Sequence, residues 1–89
     1  MVNNRRSELE IISKILDASR EGAKKTEILY YSNLNYMQLK SYLKYLLSNE
    51  ILEVGEVKDN GNSYELYRLT EKGFIFHQDV NKVLSHLTL

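Results

Sequence analysis

No cysteine and no proline occur in the 89 residues, and glycine occurs only four times. The first absence excludes a disulfide framework and any thiolate metal site. The scarcity of the other two leaves few natural helix breaks. With 43% hydrophobic and 27% charged residues, the composition is that of a folded, helix-rich globule rather than a disordered chain. No apolar run approaches the length of a membrane-crossing helix. The opening MVNNRRSELEII has no apolar stretch after its arginines, so neither a membrane span nor a signal peptide is expected, and the expected location is the cytoplasm.

Chemistry is scarce as well. The chain has no glycine-rich phosphate loop, nucleophile elbow or HExxH motif, and the helix-borne acids Glu8, Glu10, Asp17 and Glu21 do not converge on a basic partner. The imidazoles, His77 and His86, are nine residues apart, about half a turn around one helix, and cannot chelate a metal together within one chain. His77 is expected to lie partly buried on the last helix. The reading is therefore of a protein that is not an enzyme and has no cofactor and no metal.

What the sequence does contain centres on residues 24–49, KKTEILYYSNLNYMQLKSYLKYLLSN. Asn35 is a good helix N-cap, and Gln38, three residues on, completes a capping box. From there Leu39, Leu43, Leu46 and Leu47 recur at i, i+4, i+7 and i+8, forming one apolar stripe on a helix over 35–48. The opposite face holds Met37, Lys40, Ser41, Lys44, Tyr45 and Ser48, with two positive charges and no acid. A preceding helix over 25–32 is expected to turn Ile28, Leu29 and Tyr31 inward, and the Asn33-Leu34-Asn35 link is short and polar around one apolar residue. This spacing is that of a helix-turn-helix.

The net charge is zero, which gives no general attraction to phosphate. The distribution is uneven, however. Residues 24–49 hold four lysines against Glu27 alone, a local balance of +3, while Glu50, Glu53, Glu56, Glu65 and Glu71 follow downstream. Such asymmetry suits a molecule with one nucleic-acid-facing side.

Around this centre, Ser7 and Glu10 form a capping box for a first helix over 7–19, with Leu9, Ile12, Ile15 and Leu16 inward. Gly22 is its expected stop, and Ala23-Lys24 an extended link or very short strand. Segments 51–58 and 63–69 have strand character and flank Asp59-Asn60-Gly61-Asn62, whose Asn-Gly pair is a strong hairpin signal. Gly55 interrupts the alternation between Val54 and Val57 and predicts a bulge or a kink. A hairpin directly after a helix-turn-helix is a wing. Thr70 then caps a last helix running to about residue 86, in which Phe76, Val80, Val83 and Leu87, spaced 4, 3 and 4 and flanked by Leu84, have the rhythm of a coiled-coil seam. One domain over 1–89 is expected, with a 1–69 core and a 70–89 dimerisation helix.

The order of these elements, with LSNEILE after the second helix of the motif and YRLTEKG at the end of the hairpin, resembles the winged-helix DNA-binding superfamily. It is most similar to small archaeal winged-helix proteins carrying RRSxLEII at the start, AKKTxI before the second helix and a C-terminal dimerisation helix. The matching residues are Arg5, Arg6, Ser7, Leu9, Glu10, Ile11 and Ile12; Ala23 to Thr26 and Ile28; and Tyr67, Leu69, Thr70, Glu71, Lys72 and Gly73. The resemblance implies an α+β, mostly helical winged helix-turn-helix that binds double-stranded DNA as a transcriptional regulator, dimerises through its last helix and is nucleoid-associated. Architectural chromatin binding and a winged helix turned to protein contact are the alternatives.

On the residues themselves, Met37, Lys40, Ser41 and Lys44 are read as DNA contacts in preference to a solvated face. Tyr36, Gln38 and Tyr45 are open between DNA contact and packing. Lys24 and Lys25, at a helix N-terminus, suit phosphate. In the wing (58–63), Lys58 and Asn60 are candidates, although Asn60 is already accounted for by the turn. Arg68 either reaches the DNA backbone or pairs with an acid. Tyr30, Tyr31, Tyr42 and Tyr67 are assigned to core or boundary positions. Phe76, Val80, Val83, Leu84 and Leu87 are the dimer candidates.

Overall fold

The computed structural model describes residues 4–87. Four helices and one hairpin follow in order: α1 (Asn4–Ser19), α2 (Lys25–Ser32), α3 (Tyr36–Ser48), β1 (Leu52–Asp59), β2 (Asn62–Leu69) and α4 (Glu71–Leu87). The first helix begins at Asn4, so Ser7 lies inside it and not at its cap. The side chain of Ser7 lies outside the described residues, as do the last two positions of the 70–89 segment.

The apolar stripes read from the sequence meet in one core. Ile15 and Leu16 of α1, Ile28 of α2, Leu39, Leu43 and Leu46 of α3, and Ile51, Leu52, Tyr67 and Leu69 of the hairpin base are all buried together. Leu34 of the α2–α3 link, Leu47 and Tyr42 pack half-buried against them. Tyr30 and Tyr31 do not join this core: they are 84% and 56% exposed. The short α2 presents Ile28 and Ser32 inward, one turn apart on one side, and this leaves Tyr30 on the opposite side and Tyr31 at the edge.

The hairpin turns on Asn60 and Gly61, with φ of 52° and 84°, the pair of left-handed residues that a type I′ turn requires. Its register runs without interruption from Leu52↔Leu69 to Asp59↔Asn62, and Gly55 pairs squarely with Leu66. The expected bulge is absent, because Gly55 keeps to the ladder and adds no unpaired residue. Ala23 adds a bridge to Tyr67, with Ala23 N–H donating to the Tyr67 carbonyl at 2.9 Å and Tyr67 N–H returning the bond at 2.8 Å. This extended link ties the α1–α2 corner to the wing.

The corner where α3, β1 and α4 meet explains much of the LSNEILE and YRLTEKG motifs. Glu50 takes a left-handed φ of 60° and ends α3, and Ile51 N–H donates to the Leu46 carbonyl at 2.9 Å. The Thr70 hydroxyl donates to the Glu50 carbonyl at 2.6 Å and accepts from Gly73 N–H at 2.8 Å, which makes Thr70 the cap of α4. Lys72 Nζ donates to the Asn49 carbonyl at 2.9 Å, close to the end of α3.

Helix α4 folds back along α1. The Ser13 hydroxyl donates to Asn81 Oδ1 at 2.8 Å, and His77 Nε2 lies 2.8 Å from Asp17 Oδ1, within ion-pair distance for a protonated ring but without the alignment of a hydrogen bond. His77 is fully rather than partly buried. Val80, expected in an intermolecular seam, is 3% exposed within the single chain. The seam splits along its length: Phe76 is half-buried and Val80 covered, whereas Val83 and Leu87 remain 45% and 43% exposed.

Candidate nucleic-acid interface

The face of α3 turned away from the leucine stripe carries Met37, Lys40, Ser41, Lys44 and Ser48, all exposed. Its N-terminus is fixed by the expected capping box: Gln38 N–H donates to Asn35 Oδ1 at 2.8 Å and Asn35 N–H to Gln38 Oε1 at 3.1 Å. The geometry settles what Gln38 does with its amide oxygen, which serves the cap. No Asp or Glu occurs along YMQLKSYLKYLLS, so the positive potential of Lys40 and Lys44 is not offset within the helix.

Two lysines of the α1–α2 corner meet aromatic rings. Lys25 Nζ stands 5.6 Å from the centre of the Tyr36 ring, and Lys24 Nζ 4.4 Å from that of Tyr64 in β2. Lys24, Lys25, Tyr36 and Tyr64 thus form a continuous rim from the start of α3 to the wing. Tyr64 was not among the residues singled out from the sequence, because only the Ala23–Tyr67 bridge brings β2 beside Lys24. The N-terminus of α2 is partly occupied by its own chain: the Glu27 carboxylate accepts from Lys24 N–H at 2.7 Å. Phosphate attraction here falls to the two ammonium groups more than to that backbone amide.

Lys58 and Asn60 are exposed near the hairpin tip. The strands also carry Glu53, Glu56, Asp59 and Glu65 against Lys58 and Arg68, so the wing is acidic apart from those two points. Arg68 sits directly across the ladder from Glu53, but its guanidinium reaches towards Gly22, 3.9 Å from the position a Cβ there would take, and forms no ion pair with Glu53.

On its other flank α3 borders a groove of ≈ 930 Å³, to which α1 contributes Glu8, Leu9 and Ile12 and α3 contributes Gln38, Ser41, Tyr42 and Tyr45. Ser41 and Tyr45 therefore face this groove as much as open solvent. Burial, and then the nearby Glu8 carboxylate, raise the Tyr42 phenol above its ordinary pKa and keep it protonated. Among the described residues no group of three or more His, Cys, Asp or Glu side chains is placed to hold a metal, and no helix is long and apolar enough to cross a membrane.

A model of the winged helix-turn-helix family matches residues 5–87. An uncharacterized protein of Methanocaldococcus jannaschii is 36% identical over 69 residues, which are 76% of this chain and 66% of that protein. A second uncharacterized protein of the same organism is 34% identical over 80 residues, 89% of this chain but 34% of its own length. The chain thus spans about two thirds of one relative and one third of the other. Among solved structures, Sso10a-2, a DNA-binding protein from Sulfolobus solfataricus, superposes with a TM-score of 0.73 at 24% identity, over 86% of this chain and 77% of that one. A PadR-like transcription factor from Bacteroides fragilis does so with a TM-score of 0.61 at 22% identity, over 96% and 94%. At these identities the two structures establish a shared fold.

Proposed function

The chain belongs to the winged helix-turn-helix family, and from that premise we propose that it binds double-stranded DNA as a non-enzymatic transcriptional regulator in the cytoplasm, associated with the nucleoid. Helix α3 enters the major groove with Met37, Lys40, Ser41 and Lys44 leading. Lys24, Lys25 and Tyr36 hold the flanking phosphates, and the wing touches the backbone or minor groove through Lys58 and Asn60. The observation that carries this reading is the exposed, acid-free, two-lysine face of a helix whose start is pinned by a complete capping box.

In this reading the molecule works as a homodimer. Phe76, Leu84, Val83 and Leu87 form its contact, and Val80 supports the helix from within its own chain. Leaving Val83 and Leu87 in water forgoes burial free energy that a partner helix recovers. Two symmetric α3 helices then address half-sites roughly 34–36 Å apart.

One observation favours a second reading, architectural binding with little sequence preference: α3 contains no Arg or Asn, the side chains best suited to bidentate base recognition. Selection of bound sequences from a random duplex pool, followed by titration of the selected and the random duplex at one salt concentration, decides between them. A ratio of 10³ or more on the scale of specific binders supports regulation. Equal affinity supports the architectural role. No shift of either duplex at low salt removes the DNA reading and leaves a fold used for protein contact.

A further inference from the structure

We infer that the direct sequence readout of α3 is apolar: Met37 reads the C5 methyl groups of thymine. The inference rests on the DNA reading above and deepens it by naming the base feature recognised.

In the major groove, guanine is read by Arg or Lys, adenine by Asn or Gln in a two-bond contact, cytosine by Asp or Glu, and thymine by apolar contact with its methyl group. Helix α3, YMQLKSYLKYLLS, has no Arg, Asn, Asp or Glu. Its one amide side chain, Gln38, is turned back to accept from Asn35 N–H at 3.1 Å, so a two-bond adenine contact would have to pull it out of the cap. Asn35 is likewise engaged, by Gln38 N–H at 2.8 Å. Lys40 and Lys44 are point charges on flexible stems and serve phosphates as readily as guanine.

Ser41 is exposed on the same face, but a hydroxyl bonds to more than one base and selects none of them, which leaves Met37, whose situation is unusual for a methionine. It is 70% exposed, against 0 to 4% for Leu39, Leu43 and Leu46 on the same helix, so the fold makes no packing use of it. It stands in the first turn of α3, where helix-turn-helix proteins place their base contacts. Its unbranched, polarisable side chain adapts to a methyl-lined surface. Tyr36 beside it is less free, because Lys25 lies over its ring.

The test compares alternating dA·dT and dA·dU duplexes of equal length, which differ in the C5 methyl group, by fluorescence anisotropy at one low salt concentration. The wild-type chain is expected to bind the thymine duplex more tightly by about fourfold for each methyl contacted. Met37→Ala is expected to bind the two duplexes alike with the salt slope unchanged, and Met37→Leu to retain the thymine preference. Equal binding of both duplexes by the wild type overturns the inference, and so does a preference that persists in Met37→Ala, since uracil then acts through duplex shape. Failure of either duplex, and of a random one, to bind at low salt instead overturns the DNA reading itself.

Discussion

Replacing Gly73 by Ala tests whether the corner joining α3, β1 and α4 holds the domain together as its geometry implies. A Cβ at Gly73 would overlap the Ile51 carbonyl oxygen and lie 3.1 Å from the Ile51 carbonyl carbon and 3.3 Å from Thr70 Oγ1. None of these atoms is the free end of a flexible chain. The Ile51 carbonyl accepts from Thr70 N–H at 3.1 Å and lies 3.2 Å from Thr70 Oγ1, whose proton goes mainly to the nearer Glu50 carbonyl at 2.6 Å, and the same hydroxyl caps Gly73 N–H at 2.8 Å. Relief of the overlap requires α4 to retreat from Ile51 in the link between α3 and β1, and stretches these bonds. Overpacking of this kind costs about 1–3 kcal/mol, and each weakened hydrogen bond about 1 kcal/mol. The better helix propensity of Ala returns at most about 1 kcal/mol. The net expectation is a loss of about 2 kcal/mol, which lowers the urea midpoint by roughly 1 M at unchanged slope. Gly55→Ala is the internal control: a Cβ there meets nothing within 4 Å, so stability should change by less than about 0.5 kcal/mol. Equal midpoints for Gly73→Ala and the parent chain would refute the packing argument.

Three further expectations follow from the same geometry. Converting both Lys40 and Lys44 to Ala should weaken duplex binding and reduce the slope of log affinity against log salt by roughly one to two, and an unchanged slope would remove these lysines from the interface. Val83→Glu with Leu87→Glu should give a folded monomer by sedimentation, whereas Val80→Glu, at a site 3% exposed, should unfold the chain; a parent chain that is already monomeric at micromolar concentration would refute the dimer. Asn35→Ala should cost about 1 kcal/mol by denaturant titration through loss of the bond from Gln38 N–H, and no loss would mean that the cap contributes nothing in solution.

The legible parts of this protein were those fixed by local chemistry. The Asn35–Gln38 capping box, the Asn60–Gly61 turn and the cap at Thr70 each depend on residues within three or four positions of one another, so the sequence states them directly. The leucine stripe of α3 and the acid-free face opposite it follow from helical periodicity in the same way. The candidate DNA face was legible for that reason, since it is the complement of the stripe.

What required the tertiary structure was every relation between elements distant in sequence. Periodicity assigned Val80 to a seam because it cannot tell which neighbour covers an apolar face, and the α1–α4 pairing through Ser13–Asn81 and Asp17–His77 covered it within the chain. The sequence placed Tyr30 and Tyr31 by residue type, but in an eight-residue helix the direction of the core is set by Ile28 and Ser32 packing against other elements. Tyr64 joined Lys24 only once Ala23 had bridged to Tyr67, and Gly73 acquired its tight contact only when α4 docked beside Ile51. Short-range hydrogen bonds and side-chain periodicity are written along the chain, whereas the choice of which faces meet is made by burial across the whole molecule, and no local stretch contains it.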